Sequence, residues 1–393
     1  MTRVHWRSLK CVFAFLALAA SPGCTFGPEQ MGRGHLSYNE ALRTTGDDEL
    51  LLNIVRLRYL DTVEFLAISS ISSQLSFTVA LGAEGGDTAI FGRIATGTGE
   101  VSYSTRPTFT FIPQRGEEFS RRLVEPVHLD ILTDLVGADW DINLMFRLLV
   151  RSMNDRINDI GLPDPVFNET AARLGALQAE ARLTVGYVQR TETLSDPIDS
   201  SRVSGTDLVE AARAGFRFSQ AAEKDTFVLT SARRQAVLAL SPEADQTHEI
   251  VRALRLAPGQ PYYELHEGTL LGEPREQYEY LTLRTRSLMG AILYLAHGVQ
   301  VPQKHLELGL TTEHWPPGFE KELNIDDLFI VHNSKKRPQA DRAVLYRDHW
   351  FYIDDADSTT RITFMYLAEL FRLGLARETG QETPILTLPI GGP

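Results

Sequence analysis

The run Asp355-Ala356-Asp357-Ser358-Thr359 has the residue types and spacing of phosphoryl-transfer chemistry. Two carboxylates one residue apart, with a Thr two positions further on, spell the D-x-D-x-T pattern of a magnesium-dependent phosphotransferase. There the first Asp attacks, the second moves a proton and the ion sits between them. That chemistry draws its phosphate-holding lysine and further acidic groups from later in the chain. Here only residues 358–393 follow, and no Lys lies beyond Lys336. The simpler account is that a strand ends at Ile353 and that Asp357 or Ser358 caps the next helix, where negative charge is also favoured.

The other chemistry-bearing residues make no constellation in sequence. His248-Glu249 and His266-Glu267 each lack a second His four positions from the first, so no zincin spacing exists. Gly97-Thr98-Gly99 and Gly85-Gly86 do not make a phosphate-cradling G-x-G-x-x-G, and no Walker A pattern or G-x-S-x-G elbow occurs. The cluster His349-Trp350-Phe351-Tyr352 reads as a half-buried strand. No cofactor, metal or catalytic residue is expected, although a triad of distant residues would leave no mark in sequence.

One residue does carry a clear chemical role. The two cysteines, Cys11 and Cys24, both fall in the first 24 residues, which exclude a Cys-based zinc site elsewhere. Arg3, Arg7 and Lys10 precede the apolar run 11–20, and small residues lead to Gly23-Cys24, the layout of a secretory signal. Ten apolar residues are too few to span a ~30 Å hydrocarbon core. The end of the signal resembles a bacterial lipobox, with Ser21 where Leu is usual. Cys24 is therefore the expected lipidation site, and several acyl chains would hold the protein at a membrane. Thr25 follows in place of the Asp that retains lipoproteins at the inner membrane, so the expected address is the periplasmic face of the outer membrane.

The net charge is −12, and the first 24 residues contribute only positive charges, so the remainder is more acidic still. Nucleic acid is excluded as a natural partner. With 43% apolar and 23% charged residues, the chain is long enough to bury a real core.

Several elements must position whatever acts. Ser37-Tyr38-Asn39-Glu40 makes a capping box, and Asp47-Asp48-Glu49 a second acidic helix start; Leu51, Ile54, Val55 and Arg58 then share a face. Residues 71–112 read as a hairpin with a Gly-rich connection. Ile71, Leu75, Phe77, Val79 and Leu81 alternate with Ser72, Gln74, Ser76, Thr78 and Ala80. On the return strand Val101, Tyr103, Phe109 and Phe111 alternate with Ser102, Ser104, Thr108 and Thr110. Two structures carry this dyad pattern: a soluble hairpin with its apolar face on a helical core, or a transmembrane β-strand pair. Pro107 suits an edge strand. Beyond it, 140–159 reads as one helix with Asp141 as N-cap, and 343–353 as one strand. Gly298 is placed to end a helix over 286–298, and 384–390 reads as a closing apolar segment.

"DELLLNIVRLRYLDTVEFLAISSISSQ", "RPTFTFIPQRGEEFSRRLVEPV" and "WFYIDD…FMYLAELFRL" together resemble a family of bacterial predicted lipoproteins without an assigned activity. The resemblance implies an envelope location and no catalytic residue.

The expected fold class is α+β, mixed and antiparallel sheets packed with helices. The expected organisation is a signal peptide over 1–24, an N-terminal helical region with the hairpin over 25–160, and an α+β domain over 161–393. The expected role is binding or assembly by a lipid-anchored envelope protein, partnered by envelope proteins or its own copies. The alternatives are an oligomeric outer-membrane pore or secretion component that inserts the hairpin, and an envelope hydrolase whose site the sequence hides.

Overall fold

A computed structural model of the chain describes residues 28–85, 95–113, 116–159, 162–268, 275–313 and 325–376. The expected signal segment with Cys24, residues 86–94 of the expected Gly-rich connection and the expected closing segment 384–390 lie outside the described residues. The chain divides into two units, residues 1–51 and 52–393.

The first element is one helix, α1 (Pro28–Arg58), which runs through both expected starting points. Arg43 explains the continuity in the first unit. Its guanidinium reaches Glu40 at 2.6 Å and Asp47 at 3.2 Å, one turn to either side of the weak Thr44-Thr45-Gly46 stretch.

The second unit is α+β, as composition and element order imply. A two-stranded ribbon, β1 (Leu66–Gly85) and β2 (Ala95–Pro113), comes first. Three short helices follow: α2 (Glu117–Val124), α3 (Leu129–Gly137) and α4 (Ile142–Leu149). The main sheet takes β3 (Val150–Met153), β4 (Arg156–Asp159), β5 (Leu162–Pro163), β6 (Leu183–Thr193) and β9 (Thr226–Leu240). With β10 (Tyr263–Glu267) and β11 (Leu281–Thr285), the order is β5-β4-β3-β11-β10-β9-β6; only β10 and β11 pair in parallel. Because β3 and β4 pair on to β11, the boundary expected at residue 160 falls inside one sheet.

The helices that build the core are α4, α5 (Pro165–Ala179), α8 (Leu288–Leu295, after the short α6, Gly205–Arg213, and α7, Asp245–Ala253) and α10 (Ser358–Ala376, after α9, Gln303–Glu307). Their fully buried side chains include Met145, Phe167, Ile292 and Phe364. A small antiparallel sheet of β12 (His332–Ser334), β13 (Ala343–Tyr346) and β14 (His349–Tyr352) completes the unit.

Three local departures from the sequence expectations have physical causes. The helix expected over 140–159 starts on its Asp141 cap but stops at Leu149, and strands β3 and β4 follow. The stop is made by Arg286, whose buried guanidinium donates to the carbonyls of Arg147, Leu148, Val150 and Asn158. The last turn's orphan acceptors are thereby taken by a cation, the charge a helix C-terminus favours. Burial pulls the Arg286 pKa down to about 10, and the group lies 3.9 Å from the Tyr294 ring. The strand expected over 343–353 is instead a hairpin turning at Arg347-Asp348. Gly298 is needed for close approach, since a Cβ there would sit 2.1 Å from the Phe329 carbonyl oxygen.

Candidate functional site

The ribbon of β1 and β2 stands apart in its pairing. The two strands bond to each other over nineteen register pairs, from Leu66↔Pro113 to Gly85↔Ala95, with one irregularity at Ile68/Ser70. Among the described residues, no other strand joins either outer edge. Twenty residues at about 3.3 Å each give a ribbon roughly 65 Å long.

Register sorts this ribbon into two sets. Ile71↔Phe109, Phe77↔Tyr103 and Val79↔Val101 oppose apolar residues, whereas Ser72↔Thr108, Gln74↔Arg106, Ser76↔Ser104 and Thr78↔Ser102 oppose polar ones. The charged residues of the two strands, Glu84, Glu100 and Arg106, all belong to the even-numbered, polar set. The odd-numbered set of β1, apolar except at Ser73, runs from Ile71 to Leu81, a span of eleven positions. That is the span a tilted strand needs to cross a hydrocarbon core.

The ribbon's root is fixed by buried groups. Asn53, fully buried on α1, brackets Glu64: its Nδ2 donates to the Glu64 carbonyl at 2.7 Å, and its Oδ1 accepts from the Glu64 N–H at 3.2 Å. Phe65, just before β1, meets Phe119, just after β2, edge-on at 5.9 Å and stacks on Phe371 of α10 at 5.3 Å. One aromatic cluster thus holds both legs.

A second set of contacts seizes the turn between α1 and the ribbon. Arg58 donates to Thr311 Oγ1 at 2.9 Å and to the Thr312 carbonyl at 2.8 Å, and the Thr311 hydroxyl donates back to the Arg58 carbonyl. The Tyr59 hydroxyl lies 2.6 Å from Nδ1 of His305, and the His305 ring meets the His349 ring edge-on at 4.4 Å. Asp61 receives the Tyr346 hydroxyl and, at 2.9 Å, the Arg347 guanidinium. Burial pushes the Tyr59 phenol up to about 12 and lowers the Arg58 pKa. His305 is held below the usual imidazole range, first by burial and then by His349.

This joint also concentrates backbone strain. Leu60 (φ 61°), Arg347 (φ 48°) and Asp348 (φ 61°) occupy the left-handed region without being glycine. Leu60 ends α1 in a Schellman arrangement, Asp61 N–H to Arg56 C=O and Leu60 N–H to Leu57 C=O. Arg347 and Asp348 make the two-residue β13–β14 turn, where Asn-Gly is the favoured pair. Such residues persist only where their surroundings over-determine them.

The residues singled out for phosphoryl chemistry play structural parts. Asp357 caps α10: its carboxylate accepts from the Thr360 N–H at 3.1 Å and from the Thr360 hydroxyl at 2.6 Å. Asp355 lies on the surface and accepts weakly from the Asp341 N–H. His266 packs on Tyr280 at 4.5 Å with Nε2 3.3 Å from Glu264, and Arg337 lies 5.2 Å from the Trp350 ring. Of the aromatic run at 349–352, His349 and Phe351 are buried and the other two are half-buried. A cleft of about 430 Å³ is bordered by Arg151, Asp159, Glu267, Arg284 and Ser287. There Arg151 is paired with Asp159, and the Ser287 hydroxyl caps α8 by accepting from the Gly290 N–H.

Among the described residues no group of three or more His, Cys, Asp or Glu is placed to hold a metal ion, and no helix is long and apolar enough to cross a membrane. No protein-family model, curated protein or solved structure matches the chain.

Sequence reasoning passed over Asn53, Tyr59 and His305, and read His349 only as part of a half-buried strand. The available signal was Asn53, a polar residue within the apolar stripe of α1. The His pair lies 44 residues apart and left none.

Proposed function

We propose that this chain is a lipid-anchored envelope protein that acts by assembly, and that its working part is the β1–β2 ribbon, which enters a bilayer beside ribbons of further copies. The observation that carries this reading is the ribbon's sorting: over positions 71–81 the odd-numbered set of β1 is apolar except at Ser73, every strand charge falls in the other set, and among the described residues no further strand joins either outer edge. An unpaired edge is costly in lipid, where each N–H and C=O needs a partner, and a closed barrel of several ribbons supplies all of them. The apolar set would meet lipid and the polar set a water-filled lumen. The secretory layout and Cys24 fit the same reading, since an acyl anchor holds each copy at the membrane while others gather.

Purified full-length protein in planar bilayers is the test. Discrete conductance steps are expected, and deletion of residues 83–98 should abolish them without unfolding the body. A monomer that conducts nothing would refute the pore. Fatty-acid labelling that Cys24→Ser abolishes is the parallel expectation for the anchor, and an unlabelled wild type would refute it.

A further inference from the structure

The joint at the ribbon's root combines three features that no other part of the described chain brings together. Two histidines are buried in edge-on contact, with His305 3% exposed and His349 6%. Three non-glycine residues in the left-handed region, Leu60, Arg347 and Asp348, flank them. The held residues, Tyr59 and Asp61, lie just before β1 begins at Leu66.

The charges around the pair are mostly positive. Against the pair stand Tyr59, just after α1; Lys304, next to His305 on α9; and Arg347 of the β13–β14 turn, with Tyr346 and Asp61 bonded to each other behind them. Asp61 is engaged by Tyr346 and Arg347, and among the described residues no carboxylate bonds either imidazole. The Tyr59 hydroxyl and Nδ1 of His305 share a 2.6 Å hydrogen bond. Protonating His305 puts an imidazolium 4.4 Å from the His349 ring, beside Arg347 and Lys304 and away from water.

We infer that His305, seated against His349, is a proton-operated latch: neutral, it clamps the segment 58–65 and the ribbon root on the body; protonated, it releases them. The strained turn at Arg347-Asp348 makes release favourable to its own backbone, because that conformation is held by the contacts the latch supplies. The sign follows from linkage. A histidine kept neutral when folded binds fewer protons than the unfolded segment, so the joint is fully stable above the ordinary imidazole value near pH 6.5. Its stability falls as pH drops from there through the lowered folded value of His305. The consequence for insertion rests on the proposed function; the latch itself does not.

Hydrogen exchange on the purified full-length protein tests it, comparing peptides over 56–66 with the core helix 142–149 between about pH 7.5 and about pH 5.5. After correction for intrinsic exchange, protection over 56–66 should fall on the order of tenfold across that range while 142–149 stays constant. His305→Asn, which keeps an acceptor for Tyr59, combined with His349→Phe, which keeps the ring, should abolish the dependence. Should that pair fail to fold, His349→Phe alone must still reduce it. Protection over 56–66 that ignores pH in the wild type, or an undiminished dependence in the variants, overturns the latch. No membrane enters this readout, so a protein that never conducts refutes the pore and leaves the latch standing. A conducting protein with a pH-indifferent joint refutes the latch alone.

Discussion

Two long antiparallel ribbons share this chain, and they handle their charges and edges in opposite ways. In the β6–β9 ribbon, register pairs Arg190 with Arg233 and Gln189 with Arg234, so charge occupies both faces. Its strand β9 also pairs with β7 (Ile198–Asp199), β8 (Phe216–Gln220) and β10, which leaves little free backbone on that side. Charged edges and extra strands are how soluble sheets blunt their edges. The β1–β2 ribbon does neither. Its three charges fall in one set, and neither outer edge gains a strand among the described residues. Alternation alone does not distinguish a soluble ribbon from an inserting one. The two ribbons differ in the placement of charge and in the fate of their edges.

The most severe way to break the comparison is to give the apolar set of β1 a charge. Val79→Arg should eliminate conductance, because each copy would carry a cost of about 2–4 kcal/mol at the bilayer midplane. Thr78→Arg, one residue away in the polar set, should conduct with altered ion selectivity. Equal loss from both would erase the distinction between the sets.

Next in size is a change confined to the body. Arg286→Ala removes the cation that satisfies four backbone carbonyls and should cost about 3–5 kcal/mol. Thermal unfolding should show this as a large fall in Tm. A fall no greater than a surface substitution gives would contradict its assigned part.

The smallest effects concern the acidic motif. Asp357→Ala should cost about 1 kcal/mol as a lost helix cap, and Asp355→Asn should stay within roughly ±0.5 kcal/mol. Denaturant titration separates the two. Magnesium-dependent phosphatase activity that disappears in Asp355→Asn would instead restore the catalytic reading.

What the sequence made legible was local. The fold class, the cap at Asp357, the N-cap at Asp141 and the alternation over 71–112 each depend on neighbours within one or two turns. What it hid was held by distant partners. The end of α4 at Leu149 is set by an arginine 137 positions away in sequence, a contact that no window on the helix contains. The turn at Arg347-Asp348 carries no glycine, because Asp61 and Tyr59 supply the support that glycine would otherwise make unnecessary. The latch residues became visible only when α1, α9 and β14 were brought together.

The central claim is that one set of ribbon residues faces lipid and the other water. A scan of single cysteines from 71 to 81, each carrying an environment-sensitive fluorophore, reads it in membranes, since the natural cysteines are confined to Cys11 and Cys24. With lipid-borne and aqueous quenchers, odd positions should answer to the first and even positions to the second, with period two across all eleven sites. Uniform aqueous quenching along the strand would contradict the account.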